Sequence, residues 1–522
     1  MCCRPRPWWL TSVAVGYPGD QMATNPVVVA QSRAGAVVAP RTESSGVCTP
    51  GGYRTGEVRP VQEGNAGVGG WEATTVSISH ARSLRALPLG LLRTASWADR
   101  WPVRLDSREV RALLSSLRVT SEAASARLAD NAVAHLVTAR GSWSPQRPQD
   151  VVAALHRILT RSRFLKGSRS CFPLETAVAQ MMPFIQAQRP VTILASGFPF
   201  KQHDNGLKAA GASPDLAELG ALLRLKELHG AFAALYPPGV RVLVLNDGGY
   251  SRPRDRAEIQ RYWRQLRRYA QLVGLGNAVQ FHNQSCFVAQ VLGPLGWDER
   301  EHHRHTFREL ISRLADNLGS LDSAGRIDQR LAEALPRALL ADVPSFRDIV
   351  SSMVYSVPVP AHAGTDPRQW ACEVLAWPDG YTASDLSRDL VSARRQVITS
   401  AWQDSVNYLA ACLADAAVGV IARYPPHVRL ATVVSRPGCS GFSYLGGSTL
   451  LPWHATGCLD NRGLLCAEFL VSLDHRGFLP VYSDLLGDSQ PLLMVPSTRV
   501  TFAQGRRRVD PHLLATARLR PR

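Results

Sequence analysis

An alternation of strand, helix, strand, helix and strand over residues 191–283 limits the possible folds more than any other pattern in the chain. Three apolar runs of strand length, "VTILAS", "VRVLVLN" and "NAVQFHN", are separated by segments with apolar residues at helical spacing. Helix start signals precede both segments: Ser213 and Pro214 at the first, and a capping box of Asp255 and Glu258 at the second. This order requires parallel strands joined by crossover helices, and so predicts an α/β fold with a Rossmann-like parallel sheet core.

The remainder of the 522 residues divides by composition and pattern. Residues 1–85 lack helical periodicity and are rich in Gly, Ser, Thr, Val and Pro, which predicts a disordered N-terminal extension. Residues 86–165 are predicted to form a helical N-terminal region, and residues 166–504 the main domain. That domain adds helical segments and a β-rich C-terminal part, in which "DHRG" predicts a hairpin turn. Residues 505–522 are predicted to be a basic C-terminal tail.

The formal net charge of +17 indicates affinity for anions. The basic residues are dispersed, however, and we find no zinc-finger spacing, RNP-like motif or basic region leading into heptads. A basic nucleic-acid-associated protein is therefore the least favoured function. The ten cysteines are scattered without a CxxC pair, and no apolar run reaches spanning length. We expect a cytoplasmic protein without a signal peptide or a membrane span.

Common catalytic motifs are absent. We find no Walker A sequence, no GxGxxG after a strand, no GxSxG and no HExxH. In "EHHRH", His302 and His305 would be neighbours on a helix, but no third metal ligand accompanies them. The sequence therefore predicts no metal site.

Lysine is scarce. Only Lys166, Lys201, Lys208 and Lys226 occur among 59 basic residues, and all the others are arginine. Two of the four lie in one polar loop, "GFPFKQHDNGLK", between the first strand and the first helix. Arginine cannot supply a compact amine that loses its proton. The two lysines in this loop are therefore either a chance occurrence or are needed for binding or proton transfer.

The carboxyl ends of the predicted parallel strands should bring polar residues together at one edge of the sheet, where ligands bind in such folds. The residues delivered to this edge are Gly197, Lys201 and Lys208 after the first strand, Asn246, Asp247 and Gly248 after the second, and His282 at the third. Taken singly, Asp247 and Gly248 can be an ordinary turn, and His282 a structural histidine. Their convergence favours a binding site.

Several blocks resemble the isonitrile synthase family, the pyoverdine/dityrosine biosynthesis group. They are "GFPFK", "GASPDLAELGALLRLKELHGAF", "YPPGVRVLVLNDGG" and "LPWHATGCLDNRG". The resemblance implies a Rossmann-like fold and a lyase-type reaction without a metal or other cofactor. The α-amine of an aromatic amino acid, tyrosine or tryptophan, would join C2 of ribulose 5-phosphate. Loss of phosphate and fragmentation of the sugar would then leave an isonitrile, in secondary metabolism. An iron/2-oxoglutarate oxygenase is the implied partner acting on the product.

The resemblance also implies roles for individual residues. Lys201, His454 and Asp247 are the expected catalytic residues, with His454 of "PWH" as general acid–base and Asp247 holding the substrate ammonium or sugar hydroxyls. The lysines can bind phosphate and carboxylate, carry protons, or form a Schiff base, and the first of these is favoured. Expected substrate-binding residues are Lys208, Gly197, Phe200, Asn246, Gly248, His282, Arg429 and Trp453.

The chain departs from the family pattern after Arg429. It reads "LATVVSRPGCSGFSYL", without the histidine and lysine typical of the family at that place, and "QHDN" replaces a Ser-Pro-Asn-like stretch between the two lysines. An altered homologue that binds or N-formylates an amino-acid-like ligand therefore stands as the alternative to an isonitrile synthase.

Overall fold

The structure is a computed structural model, and it describes residues 103–246, 256–315, 321–340, 343–375, 387–432, 437–446, 450–484, 490–503 and 505–520. These residues all lie within one compact unit, Ala66–Arg522. The predicted N-terminal extension, residues 1–85, lies outside the described residues, as do Asp247, Gly248 and Asp255.

The secondary-structure elements are numbered here in chain order. The strands are β1 (Val103–Leu105), β2 (Val191–Ser196), β3 (Val240–Asn246), β4 (Val279–Asn283), β5 (Val428–Ala431), β6 (Ser440–Gly441), β7 (Thr456–Leu459), β8 (Leu464–Glu468), β9 (Phe478–Ser483), β10 (Leu493–Pro496), β11 (Val500–Ala503), β12 (Arg506–Val509) and β13 (Arg518–Leu519). The α-helices are α1 (Ser107–Arg140), α2 (Pro148–Leu159), α3 (Leu174–Gln186), α4 (Leu216–Leu235), α5 (Arg256–Leu272), α6 (Gln284–Leu314), α7 (Leu321–Ala334), α8 (Arg337–Leu340), α9 (Phe346–Val354), α10 (Pro367–Leu375), α11 (Arg388–Ala417), α12 (Val420–Arg423), α13 (Leu470–His475) and α14 (Pro511–Ala515). Single 3₁₀ turns cover Arg169–Cys171, Pro452–His454 and Ser497–Arg499.

The predicted parallel sheet is present. Five strands lie in the order β4-β3-β2-β5-β6, and every neighbouring pair is parallel. Strands β2 and β3 are buried almost throughout, because helices cover their valine- and leucine-rich faces. The α/β prediction and the strand–helix alternation are therefore confirmed.

Helix α4 is buried on nearly all sides, and every residue from 216 to 225 is buried. Its sequence, "LAELGALLRLKELHGAFAAL", is apolar around the whole circumference, as expected of a helix without a solvent face. It packs against β3 on one side and against β7 and β8 on the other. The approach is close at Gly457 in β7, where a Cβ would lie 2.4 Å from the backbone nitrogen of Ala217. This helix therefore forms a layer shared by two sheets.

The second sheet is mixed and has the order β1-β9-β10-β7-β8-β13. It confirms the β-rich C-terminal part, with two differences from the prediction. The segment "DHRG" is not a hairpin turn, because β8 is followed by helix α13, and Gly477 (φ 73°) follows that helix. Residues 505–520 are also not a peripheral tail: β12 pairs with β11, β13 pairs with β8, and Leu513 and Leu514 are buried.

The helical N-terminal region shares this second sheet. Strand β1 pairs in parallel with β9, and α1 packs along α4. Helix α1 begins with a capping box of Asp106 and Glu109 and ends at Gly141 in the left-handed conformation. Residues 103–165 are therefore part of the same packed body as the residues that follow.

Helices α6 to α11 form a helical lobe with an apolar core of its own, in which Phe346 meets Trp402 edge to face at 5.0 Å. Within α6, Gly293 (φ 72°) interrupts the helical geometry just before Pro294. Among the residues that the structure describes, no helix is both long enough and apolar enough to cross a membrane.

Candidate active site

The predicted residues at the carboxyl edge of the parallel sheet are brought together in part. Asn246 at the end of β3 is in register with Asn283 at the end of β4, and His282 is in register with Leu245. Burial, together with Arg241 and Arg267 nearby, lowers the pKa of His282. Arg429 lies in β5 beside Leu194, two residues before the end of β2.

The chain leaves β2 through residues 197–208, here named the FPFK loop, and the first part of this loop is tightly held. Phe198 has the uncommon backbone φ of 53°, and the carbonyl oxygens of Phe198 and Pro199 accept hydrogen bonds from Nδ2 of Asn246. Phe200 is buried. Asn246 thus fixes the turn of the FPFK loop, which is a structural role in addition to the predicted substrate contact.

An aromatic cluster packs against the same turn. The ring of Phe198 lies 5.2 Å from that of Trp453, 5.5 Å from that of Tyr444 and 6.0 Å from that of Phe281. Gly197 allows this approach, because a Cβ there would lie 3.0 Å from the Trp453 ring. Trp453 is 3% exposed and belongs to the main apolar core. It therefore lies beneath the loop as packing, and any contact of its ring with a substrate stays a prediction.

The FPFK loop contacts the 3₁₀ turn Pro452–His454, here named the PWH turn. The backbone N–H of Gln202 donates to the carbonyl oxygen of Trp453 at 2.9 Å, and Nζ of Lys201 donates to the carbonyl oxygen of Pro452 at 3.0 Å. His454 is half-buried at the end of this turn. The structure therefore places the predicted lysine and the segment carrying the predicted histidine in direct contact.

Lys201 is buried and is held by two carboxylates that the sequence analysis did not identify. Its Nζ lies 2.7 Å from Oε2 of Glu218 and 3.0 Å from Oδ2 of Asp215. Both acids lie at the start of α4, where Asp215 is the N-cap and Glu218 completes a capping box. Together with the carbonyl of Pro452, they give the three ammonium protons of Lys201 acceptors within the protein.

The pattern D-x-x-E at the start of an apolar helix was visible in "SPDLAEL". The sequence analysis instead took Ser213 and Pro214 as the start signal, two residues too early, because Ser and Pro are also typical of helix starts. Asp215, rather than Ser213, accepts from the backbone N–H of Ala217.

Lys208 occupies a different environment: its hydrogen-bond acceptors among the described residues are neutral oxygens. It is fully buried, and its Nζ donates to Oγ of Ser356 at 2.8 Å, Oε1 of Gln202 at 3.3 Å and the carbonyl oxygen of Ser352 at 3.4 Å. Burial lowers the pKa of Lys208 to about 7, and Asp204 offsets only part of this effect. Two of the three acceptors come from the helical lobe, so this amine joins the loop to that lobe.

Among the residues that the structure describes, no three His, Cys, Asp or Glu side chains are grouped as metal ligands. His303 and His305 instead lie beside Glu299 and Glu309 on the surface of α6.

The sequence model of the pyoverdine/dityrosine biosynthesis protein family matches residues 181–334. The chain is similar to this family, as the sequence predicts. The match to the pyoverdine/dityrosine family takes in the FPFK loop, α4 and the ends of β2 to β4. It stops before Arg429 and the PWH turn.

Two curated relatives show the same similarity. An L-tyrosine isonitrile synthase of Xenorhabdus nematophila is 29% identical over 100 residues, which are 18% of this chain and 30% of that protein. The isocyanide synthase–NRPS hybrid crmA of Aspergillus fumigatus is 33% identical over 79 residues, which are 14% of this chain and 5% of that protein. The chain therefore matches less than a third of the length of either relative. The crystal structure of the PvcA protein from Pseudomonas aeruginosa superposes with a TM-score of 0.41 at 18% identity, covering 66% of this chain and 99% of that one.

Proposed function

We propose that this chain is an isonitrile synthase. It would convert the α-amine of an aromatic amino acid, tyrosine or tryptophan, to an isonitrile, with ribulose 5-phosphate as the carbon donor. The observation that carries the proposal is the contact between the FPFK loop and the PWH turn, within a chain similar to the pyoverdine/dityrosine family. The two segments lie about 250 residues apart in sequence; one carries both loop lysines, and the other carries His454.

Formation and breakdown of an imine between the amino acid and C2 of the sugar require groups that give and take protons near neutral pH. Lys208 suits this task, because burial brings its pKa to about 7. Its partners are neutral oxygens, so the amine can exist in either protonation state. The complete burial of Lys208 favours proton transfer over the phosphate binding that the sequence analysis preferred.

The other predicted residues keep their proposed roles at this site. His454 acts as general acid–base, and Asp247 holds the substrate ammonium or sugar hydroxyls. Arg429 and His282, which lie in the parallel sheet, bind the carboxylate or phosphate. Gly197 and Gly248 let the backbone approach the substrate, Asn246 contacts it, and Phe200 and Trp453 support its aromatic ring. The reaction is a lyase-type step that needs no metal, in a cytoplasmic enzyme whose product passes to an iron/2-oxoglutarate oxygenase.

One observation favours the alternative of an altered homologue. All three protons of each loop lysine already have acceptors in the protein. A phosphorylated sugar would have to displace some of them. A homologue that binds or N-formylates an amino-acid-like ligand would need no such displacement.

The proposal is tested by incubating the purified chain with tyrosine or tryptophan and ribulose 5-phosphate, in the presence of EDTA, and trapping the isonitrile with a tetrazine. We expect trapped product with one amino acid, loss of product in Lys208→Met, and retained product in Lys226→Met. Lys226→Met is the control: it makes the same substitution at a lysine whose partner, Glu122, is exposed. A ligand-induced thermal shift without product from either amino acid would overturn the proposal in favour of the alternative.

A further inference from the structure

The cluster around Lys201 contains more acid than base. Asp215 and Glu218 both lie within 3.0 Å of the same ammonium, and the three side chains are at most 4% exposed. If both acids were ionised, the cluster would carry a net negative charge in a region closed to water, which is strongly unfavourable. One of the two carboxyl groups should therefore hold a proton.

The two carboxyl groups differ in the partners of their second oxygens. Oδ1 of Asp215 accepts from the backbone N–H groups of Ala217 at 2.7 Å and Gly457 at 3.2 Å, so a proton on this oxygen would face two N–H donors. Oε1 of Glu218 instead lies 3.3 Å from the hydroxyl of buried Tyr262, which donates to a carboxylate but can also accept a hydrogen bond from a neutral carboxyl group. Burial raises the pKa of Glu218 to about 8, despite the nearby charge of Lys201.

The cluster also joins the two sheets at the candidate site. Lys201 donates to the carbonyl oxygen of Pro452 at the start of the PWH turn, and Asp215 accepts from the N–H of Gly457 in β7, three residues after the turn. Glu218 supports this arrangement by accepting at 2.7 Å from Lys201 and at 3.0 Å from the backbone N–H of Asp215. Displacing Lys201 would remove one of the two hydrogen bonds by which the FPFK loop holds the turn that carries His454.

We propose that Glu218 is a positioning residue that, as a neutral carboxyl group, holds Lys201 against Pro452 and thereby fixes the place of the His454 imidazole. Its effect on turnover rests on the proposed function, whereas its effect on His454 does not. A misplacement of about 1 Å costs up to ~10²-fold in rate in enzymes generally, so turnover should fall by up to that factor when the support is lost.

A neutral Glu218 predicts a pH dependence of stability with a definite sign. Between the ordinary carboxyl value of 4.5 and about 8, the folded chain holds a proton that the unfolded chain releases, so the stability contributed by this group falls as the pH rises. The ionisable groups that face the carboxyl are Lys201, Asp215 and Tyr262. Glu218→Gln reproduces the neutral form: its oxygen accepts from Lys201, and its amide can donate to Tyr262.

The experiment compares Glu218→Gln, Glu218→Ala and the control Glu227→Gln, in which another fully buried glutamate of α4 is changed where it binds Arg163 and Arg224. The first measurement is the melting temperature from pH 5 to 8. We expect the melting temperature of Glu218→Gln, relative to that of the unaltered chain, to rise steadily with pH. For Glu227→Gln this difference should stay constant. If the difference in melting temperature between Glu218→Gln and the unaltered chain is also constant with pH, Glu218 is not a neutral carboxyl group in the folded chain.

The second measurement is the NMR titration of His454 in histidine-labelled protein, with His454→Gln identifying its signal among the 14 histidines. We expect Glu218→Ala to change the chemical shift of the His454 signal and its pH dependence. Glu218→Gln and Glu227→Gln should leave both unchanged. An unchanged His454 titration in Glu218→Ala would overturn the positioning role. If that variant does not fold, Glu218→Asp, which withdraws the carboxyl by one methylene, takes its place with the same two outcomes. Neither measurement uses a substrate, so failure here is distinct from failure of the proposed reaction.

Discussion

The ammonium of Lys201 lies 3.0 Å from the carbonyl oxygen of Pro452, although 251 positions separate the two residues in the chain. This bond joins the loop after a strand of the parallel sheet to the turn that leads into the second sheet. Since the same ammonium lies between Asp215 and Glu218, the position of the PWH turn depends on a buried ion cluster.

Replacing Lys201 should therefore affect stability as well as turnover. Lys201→Met leaves two acidic side chains buried without their cation, and we expect the free energy of unfolding to fall by about 3–5 kcal/mol at pH 7. The loss should be smaller at pH 5, where the carboxyl groups take up protons more easily. Urea denaturation at both pH values measures the change. Lys226→Met is the matched control and should cost less than about 1 kcal/mol, because its partner Glu122 is exposed. Equal losses in the two variants would contradict the buried cluster.

Lys208 should make the free energy of unfolding depend on pH with the opposite sign to Glu218. Between pH 7 and 10.5 the unfolded chain keeps the Lys208 proton that the folded chain releases, so this residue makes stability rise with pH. The rise is at most about 1.4 kcal/mol per pH unit. We expect the free energy of unfolding of Lys208→Met, measured by urea denaturation from pH 7 to 9, to lack this component. The same slope in Lys208→Met and the unaltered chain would show that Lys208 keeps an ordinary titration.

Asn246 and Asn283 offer a matched pair of substitutions at one sheet edge. In Asn246→Asp, a carboxylate replaces the amide that donates to the carbonyls of Phe198 and Pro199, and we expect a loss of about 3 kcal/mol at pH 7. The loss should shrink as the pH falls, because a protonated aspartate can donate again. Asn283→Asp should be neutral or stabilising, since the side-chain oxygen of Asn283 accepts from the backbone N–H groups of Ser285 and Cys286 at the start of α6. Thermal unfolding of both variants checks the contrast, which would disappear if Asn246 did not hold the loop.

Gly197 should tolerate no side chain. A Cβ at this position would lie 3.0 Å from the Trp453 ring and 3.2 Å from the Tyr444 hydroxyl, so Gly197→Ala should displace these rings at a cost of about 1–3 kcal/mol. Near-ultraviolet circular dichroism should report the altered aromatic packing. Gly325→Ala, in helix α7, meets no atom closer than 3.8 Å and should stabilise the chain by about 0.5–1 kcal/mol. An unaltered aromatic spectrum in Gly197→Ala would count against the close packing.

The parallel sheet was predictable because β2, β3 and β4 are local apolar runs with clear helix signals between them. Their shared edge followed from the rule that parallel strands end together. The second sheet was less accessible, because its pairings join distant segments, such as β1 with β9 and β8 with β13. No local pattern in "VRL" at residues 103–105 indicates a partner near residue 481.

Positions at the sheet edge were predictable where a motif or a strand end marked them: Asn246 ends β3, and Lys201 lies in the loop that follows β2. Asp215 and Glu218 were missed for a physical reason: capping residues are usually solvated, and nothing in "DLAE" shows that a second sheet will cover this helix start. The sequence also does not show that the two lysines have different surroundings, with Lys201 between two acidic side chains and Lys208 among neutral oxygens. Ser352 and Ser356 approach Lys208 only because the helical lobe folds back onto the loop.

The burial of α4 between two sheets has a consequence for how the chain can be divided. If residues beyond about 450 were removed, the face of α4 that packs on β7 and β8 would be exposed to water. A fragment that carries the parallel sheet without β7 and β8 should therefore not be stable on its own. During synthesis, the core should complete its folding only after these C-terminal strands have been made.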